Sequence, residues 1–244
     1  MNNNINISKR VKAAGIYAML LILSSGFFVA CGDDNEEIPT VVPSATGTMT
    51  DRNGNEYKWV RIGNLDWMAE SSRAGEAWYD QSYMTENGIE YNFYTRDDEE
   101  AEQRLQTLGN YYTYYQALEN CPEGWRLPTD DDWKQLEMAL GMSKEEADKT
   151  GWRTGAASLL TQGTEGTGLN FGYAGQLASY STASISEYHI GDYGYFWSST
   201  IDPDAAYESA FIRKITPAQP NKVQRVSTMT SYRYISVRYC RDAR

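Results

Sequence analysis

The side chains here that could carry a reaction are few in kind: one histidine, three cysteines, and 33 Asp and Glu residues in a chain of 244. Nucleophilic catalysis by Ser or Cys needs a base beside the nucleophile. His189 is the one imidazole present, and its Tyr/Ser/Gly-rich surroundings mark it as a loop residue. No Gly-x-Ser-x-Gly elbow accompanies it. Structural or catalytic zinc needs a Cys/His cluster, which is missing. Asp51, Asn53 and Asn55 share the alternate spacing of a calcium loop, but Gly54 stands fourth instead of sixth and no Glu closes the twelfth position. A turn is the simpler reading. Carboxylates are numerous enough for a glycosidase-type acid and base, yet no pair is singled out by its context. The expectation is no catalytic residue, no cofactor and no metal ion, with a carboxylate-dependent extracellular hydrolase as the enzymatic alternative.

A different covalent chemistry surrounds Cys31. Lys9, Arg10 and Lys12 precede an uncharged stretch from Ala13 to Ala30, the order of a secretory signal peptide. Phe28-Val29-Ala30-Cys31 resembles a bacterial lipobox, with Phe28 where Leu is usual. Residues 1–30 then form a lipoprotein signal peptide, and acyl chains on Cys31 tie the chain to a membrane. Each buried CH₂ contributes ~0.8 kcal/mol, and stable anchoring takes more than one chain. The competing reading is an uncleaved transmembrane helix, which Ser24-Ser25-Gly26 and the acidic flank weaken. Asp33, Asp34, Glu36 and Glu37 resemble the signal that exports Bacteroidota-type lipoproteins to the outer face of the outer membrane, and they also read as a solvated tether. Residues 31–48, acidic and then Pro/Ser/Thr-rich, form that tether.

A formal net charge of −11 and a pI near 4.6 argue against nucleic acid, because a backbone binder needs a basic stripe. Hydrophobic content of 41% supports a real core. Tyrosine is over-represented, with 19 copies beside 7 Trp and 6 Phe, which suits half-buried sheets and ligand surfaces. Two thiols beyond Cys31, Cys121 and Cys240, most simply form one disulfide in an exported protein. That bond would close a loop of about 120 residues, for which the chain-entropy model gives on the order of 4–5 kcal/mol.

From Met49 the texture becomes that of a folded domain, running to residue 244. Asn53-Gly54 between β-prone runs predicts a hairpin, with Tyr57, Trp59, Val60 and Ile62 on a strand. Residues 75–110 read as an insertion, with a short acidic helix from Asp97 to Leu108 carrying Ala101 and Leu105 on one side. A helix ends near Asn120, before Pro122. Thr129 with Asp132 three residues on predicts a capping-box start, and Trp133, Leu136 and Leu140 form one buried face. Gly141 ends that helix, and Ser143 caps a shorter one through Asp148. No helix is expected between Thr150 and Tyr195. Residues 196–200, 210–212 and 235–240 read as closing strands.

Four segments, in order, carry a family resemblance: Asp51, Gly54, Asn55 and Tyr57; then Trp67 and Met68 before Ala69-Glu70; then Cys121, Pro122, Gly124, Trp125, Arg126, Leu127, Pro128, Thr129 and Trp133; then Trp197, Ser198, Ser199 and Thr200 with a final Ser236, Val237 and Arg238. This grammar resembles the Fibrobacter succinogenes major paralogous domain, FISUMP, over nearly all of the chain after Cys31. Ser71-Ser72 departs from the family's Asn-Leu, the 75–110 segment is long, and Tyr239 intervenes before Cys240 where the family has Ser-Val-Arg-Cys. A slip of one residue along a strand turns side chains to the opposite face, which bears directly on the Cys121–Cys240 pairing.

The Arg-Leu-Pro-Thr helix opening also resembles formylglycine-generating enzymes and C-type lectin-like domains. That resemblance implies an α+β, C-type lectin-like fold: two main helices on antiparallel sheets, paired termini and long display loops. It implies no reaction, since function lives in the site and not the fold. Gln219-Pro220-Asn221 is a hybrid of calcium-lectin signatures, but Trp197-Ser198-Ser199 lacks the acid and amide that such lectins add. Calcium-free binding through aromatic rings is the more open route, and Tyr173, Tyr180, Tyr188, Tyr193 and Tyr195 are its candidates. Trp125, Trp133 and Trp197 read as core. The expectation is a surface-exposed outer-membrane lipoprotein with a non-catalytic binding or structural domain, with carbohydrate as one candidate ligand. A protein-binding adhesin or envelope scaffold is the alternative.

Overall fold

The computed structural model describes residues 41–75, 90–92, 98–161, 163, 166–181 and 184–244. The leader, Cys31 with its acidic flank, and most of the expected insertion lie outside the described residues. In chain order the elements are β1 (Thr46–Thr50), β2 (Glu56–Ile62), β3 (Leu65–Met68), β4 (Glu90–Asn92), α1 (Asp98–Leu108), α2 (Tyr114–Glu119), α3 (Asp130–Ala139) and α4 (Lys144–Asp148). There follow β5 (Gly151–Thr154), α5 (Ala157–Leu160), β6 (Gln176–Ser181), β7 (Ser184–Tyr188), β8 (Gly194–Ile201), β9 (Ser209–Ile215), β10 (Lys222–Met229), β11 (Arg233–Tyr234) and β12 (Cys240–Asp242). This is an α+β chain. Among the described residues no helix is long and apolar enough to cross a membrane.

Among the described residues three four-stranded sheets form, ordered β1-β2-β3-β12, β5-β10-β9-β8 and β11-β6-β7-β4, and every strand pairing in them is antiparallel except β4 with β7. The expected hairpin joins β1 to β2. Asp51 accepts the backbone N–H groups of Asn53 and Asn55 at 2.9 Å each, an Asx-type turn and not a calcium loop. Residues assigned to the tether are already in the fold, since β1 starts at Thr46 and Val41 packs on the core. The single-turn α5 and the strand β10 were not foreseen. Residues 235–239, expected as a strand, instead make isolated bridges: Ile235 to Tyr112 and Ser236 to Phe196.

The family motifs meet one another. Thr129 caps α3 reciprocally with Asp132, and Arg126 donates to both Asp132 oxygens at 3.0 and 2.8 Å. Thr200 Oγ1 accepts the Asp130 N–H at 2.9 Å, and the Ser199 N–H reaches the Pro128 carbonyl at 2.7 Å. Trp197 Nε1 donates to the Tyr112 carbonyl, while its own carbonyl accepts from Trp133 Nε1. Arg238, buried and with no carboxylate in ion-pairing contact among the described residues, donates to the carbonyls of Met68 and Asn170 and covers the Phe171 ring. Most of these contacts point into the domain, and Arg126 also reaches the exposed carboxylate of Asp242.

Two apolar clusters form, and β8 supplies both by alternation. Phe196 joins Trp67, Trp133, Leu136, Phe171 and Cys240. Its neighbours Tyr195 and Trp197 join Tyr57, Met68, Ile212, Val237 and Tyr239. Trp133 and Trp197 are core as expected, but Trp125 is only half-buried and stacks under Arg241, 4.5 Å from its ring centre.

Within the first cluster lies a charged network. Glu137 of α3 receives Arg153 through two 2.7 Å bonds and Arg213 through one of 2.6 Å. Asp130, two turns earlier on α3, receives Arg213 at 2.8 Å and Arg225 at 2.9 and 2.7 Å. Glu137, Arg153 and Arg213 have no solvent-accessible surface. Burial would raise the Asp130 carboxyl, but the bonds and charges of Arg225 and Arg213 outweigh it and hold it at about 2. A depressed carboxylate contributes stability that is complete above its unfolded value of ~3.9 and is lost as pH falls through about 2. Glu137→Gln leaves two buried guanidiniums short of a counter-charge. It should cost about 3–5 kcal/mol in guanidinium chloride unfolding at neutral pH. A loss below about 1 kcal/mol would mean that the network is not held as described.

Candidate functional site

Strand register places one polar or aromatic residue per strand in a row across the second sheet: Trp152 opposite Gln224, Gln224 opposite Lys214, and Lys214 opposite Tyr195. Because side chains alternate, the row lies on the face away from Arg153, Arg213 and Arg225. Trp152, Lys214 and Gln224 are half-buried. A groove of about 260 Å³ opens along this face, bounded by Tyr195, Lys214 and Gln224, and by Arg233 and Gln176 of the third sheet. It is smaller than the ~300–1,000 Å³ of enclosed small-molecule sites, the form of a shallow platform.

Aromatic faces surround the lysine. Lys214 Nζ lies 3.8 Å from the ring centre of Tyr193, 5.4 Å from that of Tyr195 and 5.8 Å from that of Trp152. Loss of solvent lowers the Lys214 ammonium below its usual value, and burial pushes the Tyr195 hydroxyl up to about 12. Tyr195 Oη and His189 Nδ1 are 2.9 Å apart, so His189 steadies one wall of the cage. His189 has φ 65°, a left-handed conformation more accessible to His than to most residues. Its carbonyl accepts the N–H groups of Asp192 and Tyr193, which closes the turn that carries Tyr193.

Two glycines let that turn cross the preceding loop. A Cβ on Gly175 would stand 2.3 Å from the Tyr188 carbonyl, and one on Gly194 would stand 2.4 Å from the Gly172 carbonyl. Gly175 and Gly194 are bridged in parallel, which sets Tyr193 and Tyr195 beside Lys214.

The five tyrosines named as candidates for a ligand surface, most of which read equally as packing the long loops, part company. Tyr193 and Tyr195 join the cage, while Tyr173 packs on the first core cluster. Tyr188 lines a second cavity of about 400 Å³ with Glu100, Arg104, Glu187, His189 and Asp192. The side chain of Tyr180 is outside the described residues. Trp152, Lys214, Gln224 and Arg233 were missed. Each sits on a short strand whose alternation is visible, but only register between distant strands brings them together. In the second cavity the buried Glu187 is ion-paired to Arg104. Among the described residues no group of His, Cys, Asp and Glu could hold a metal ion, and Gln219-Pro220-Asn221 forms the turn between β9 and β10.

The disulfide expected between Cys121 and Cys240 is not formed; both thiols are free. Alternation along the last segment is the reason. Val237 and Tyr239 face the second cluster, where Cys121 also packs, while Cys240 turns to the first cluster beside Trp67 and Trp133. Tyr239 donates its hydroxyl to the Ala117 carbonyl at 2.7 Å and occupies the side on which Cys121 lies. Burial raises both thiols, Cys121 to about 11 and Cys240 further.

Fold and groove together define an α+β domain whose sequence motifs are spent on internal architecture and whose open surface lies on a sheet face. The chain belongs to the family described as the Fibrobacter succinogenes major domain, whose model matches residues 60–241. No curated protein and no solved structure matches the chain.

Alkylation tests the thiol assignment. Iodoacetamide added to the folded chain should leave Cys240 unmodified, and after unfolding without reductant it should label both Cys121 and Cys240. A disulfide-linked peptide containing the two in a non-reducing digest would contradict the structure.

Proposed function

We propose that this protein is a lipoprotein anchored through Cys31 to the outer membrane, facing outward, whose C-type lectin-like domain binds glycan without catalysing a reaction. The groove bounded by Tyr195, Lys214, Gln224 and Gln176, with Trp152 next in the same row of side chains, is the observation that carries this reading. Sugar rings present apolar C–H faces edged by hydroxyls. Tyr and Trp supply flat apolar surface with a polar edge, and Gln224 and Gln176 supply both donors and acceptors. The pairing of β12 with β3, close to β1 and β2, supports the lectin-like comparison, as does the packing of α3 against the central sheet. No calcium is needed for this mode. Hydrolysis is the weaker reading, because Glu187, the most buried carboxylate of the second cavity, is held by Arg104.

Two experiments test the two halves of the proposal. Cys31→Ala should abolish incorporation of labelled fatty acid and release the protein from membranes; continued labelling would remove the anchor. On a glycan array, the detergent-purified chain should bind with and without chelator. Gln176→Ala combined with Gln224→Ala, both lining the groove, should then weaken binding about tenfold or more, equivalent to ~1.4 kcal/mol. Binding that disappears with chelator, or is unchanged in the double variant, would place recognition elsewhere.

A further inference from the structure

The chain carries a net charge of −11, so its general field repels anions. Lys214 is an exception in its surroundings. Among the described residues Lys134, Lys144 and Lys149 each meet a carboxylate, and Lys58 and Lys222 are exposed. Lys214 is half-buried, with three aromatic rings around its ammonium and no carboxylate within ion-pairing distance among those residues. A cation that has given up water without gaining a counter-ion is costly unless something else supplies the negative charge. Tyrosine and tryptophan faces repay part of that cost through their quadrupoles, but they leave the charge itself uncompensated. Arg233 borders the same groove and its charge acts on Tyr195, where the Asp192 carboxylate acts in the opposite sense. Lys214 is therefore a positive group set in a groove on a negative molecule, with aromatic rings beside it.

We propose that the groove is selective for acidic glycans, with Lys214 taking the anionic substituent of one sugar unit while Tyr195, at the groove wall, lies beside its ring and Gln224 and Gln176 meet its hydroxyls. This rests on the glycan-binding reading above and narrows its ligand class to saccharides bearing a carboxylate or a sulfate ester. Both groups are planar or compact oxyanions that an ammonium meets as a point charge. Tyr193 lies against the ammonium at 3.8 Å and keeps the lysine from swinging out to solvent.

The test uses the whole chain in detergent, titrated calorimetrically with four probes: oligogalacturonate, its methyl ester, neutral galactan oligosaccharide and sulfated galactan oligosaccharide. At least one acidic probe should bind about tenfold or more tightly than its neutral counterpart, and the preference should fall with added salt. Oligogalacturonate preferred over its ester assigns a carboxylate, whereas sulfated galactan preferred over neutral galactan assigns a sulfate. Lys214→Gln should erase the preference with its thermal melt unchanged, Lys214→Arg should keep most of it, and Lys222→Gln, on the exposed start of β10, should leave it intact. Equal binding of acidic and neutral probes overturns the acidic selectivity and leaves the glycan reading standing. So does a preference that survives Lys214→Gln, or one that Lys222→Gln removes equally. No binding of any of the four, together with silence on the array, removes the glycan reading and this inference with it.

Discussion

Two carboxylates of α3 and three arginines of the β5-β10-β9-β8 sheet form a network that most of the structure has to respect. Glu137 and Asp130 lie on one stripe of the helix, and Arg213 bridges them while Arg153 and Arg225 close the two ends. Charges removed from water tolerate little displacement, because a shift of about an ångström weakens several charge-assisted bonds together. The network therefore fixes the rotation of α3 and its distance from β5, β9 and β10. Once Arg153, Arg213 and Arg225 must point at the helix, the opposite face of the same strands is committed to Trp152, Gln224 and Lys214. Internal electrostatics and the open groove are two sides of one register.

The free thiols follow from the same parity argument in another strand. One residue inserted before Cys240 puts a tyrosine in the position facing Cys121 and sends the sulfur into the other cluster. Tyr239 holds that region with a buried hydrogen bond to the Ala117 carbonyl and a large apolar ring. Packing, and not a covalent tie, holds this region. The motif survives around the change because its other members are held locally: Arg126 pairs through its backbone with Cys240, and Arg238 covers Phe171.

Division of labour between motif and surface explains why family membership says little about ligand. Asp51, Tyr57, Trp67, Trp133, Trp197 and Arg238 are buried, and their polar atoms are bonded inward, apart from the indole nitrogen of Trp67. The residues that could meet a ligand belong to strands and turns with no signature of their own.

What the sequence determined by itself is local. Thr129 with Asp132 specified a helix start, Ser143 another, and Asn53-Gly54 a hairpin, because capping and turn geometry depend on residues within one helical turn of each other. The ordered motifs were legible for the same reason, and the tyrosine-rich region already pointed to Tyr193 and Tyr195. The Lys214 cage was not legible, nor was the network behind it. Trp152, Tyr195, Lys214 and Gln224 come from four strands, and their neighbourhood depends on three inter-strand registers. The fate of Cys121 and Cys240 depended likewise on which face each sulfur took. Register is decided by burial of one face across the whole sheet, a property of the assembled core, and only the tertiary structure supplies it.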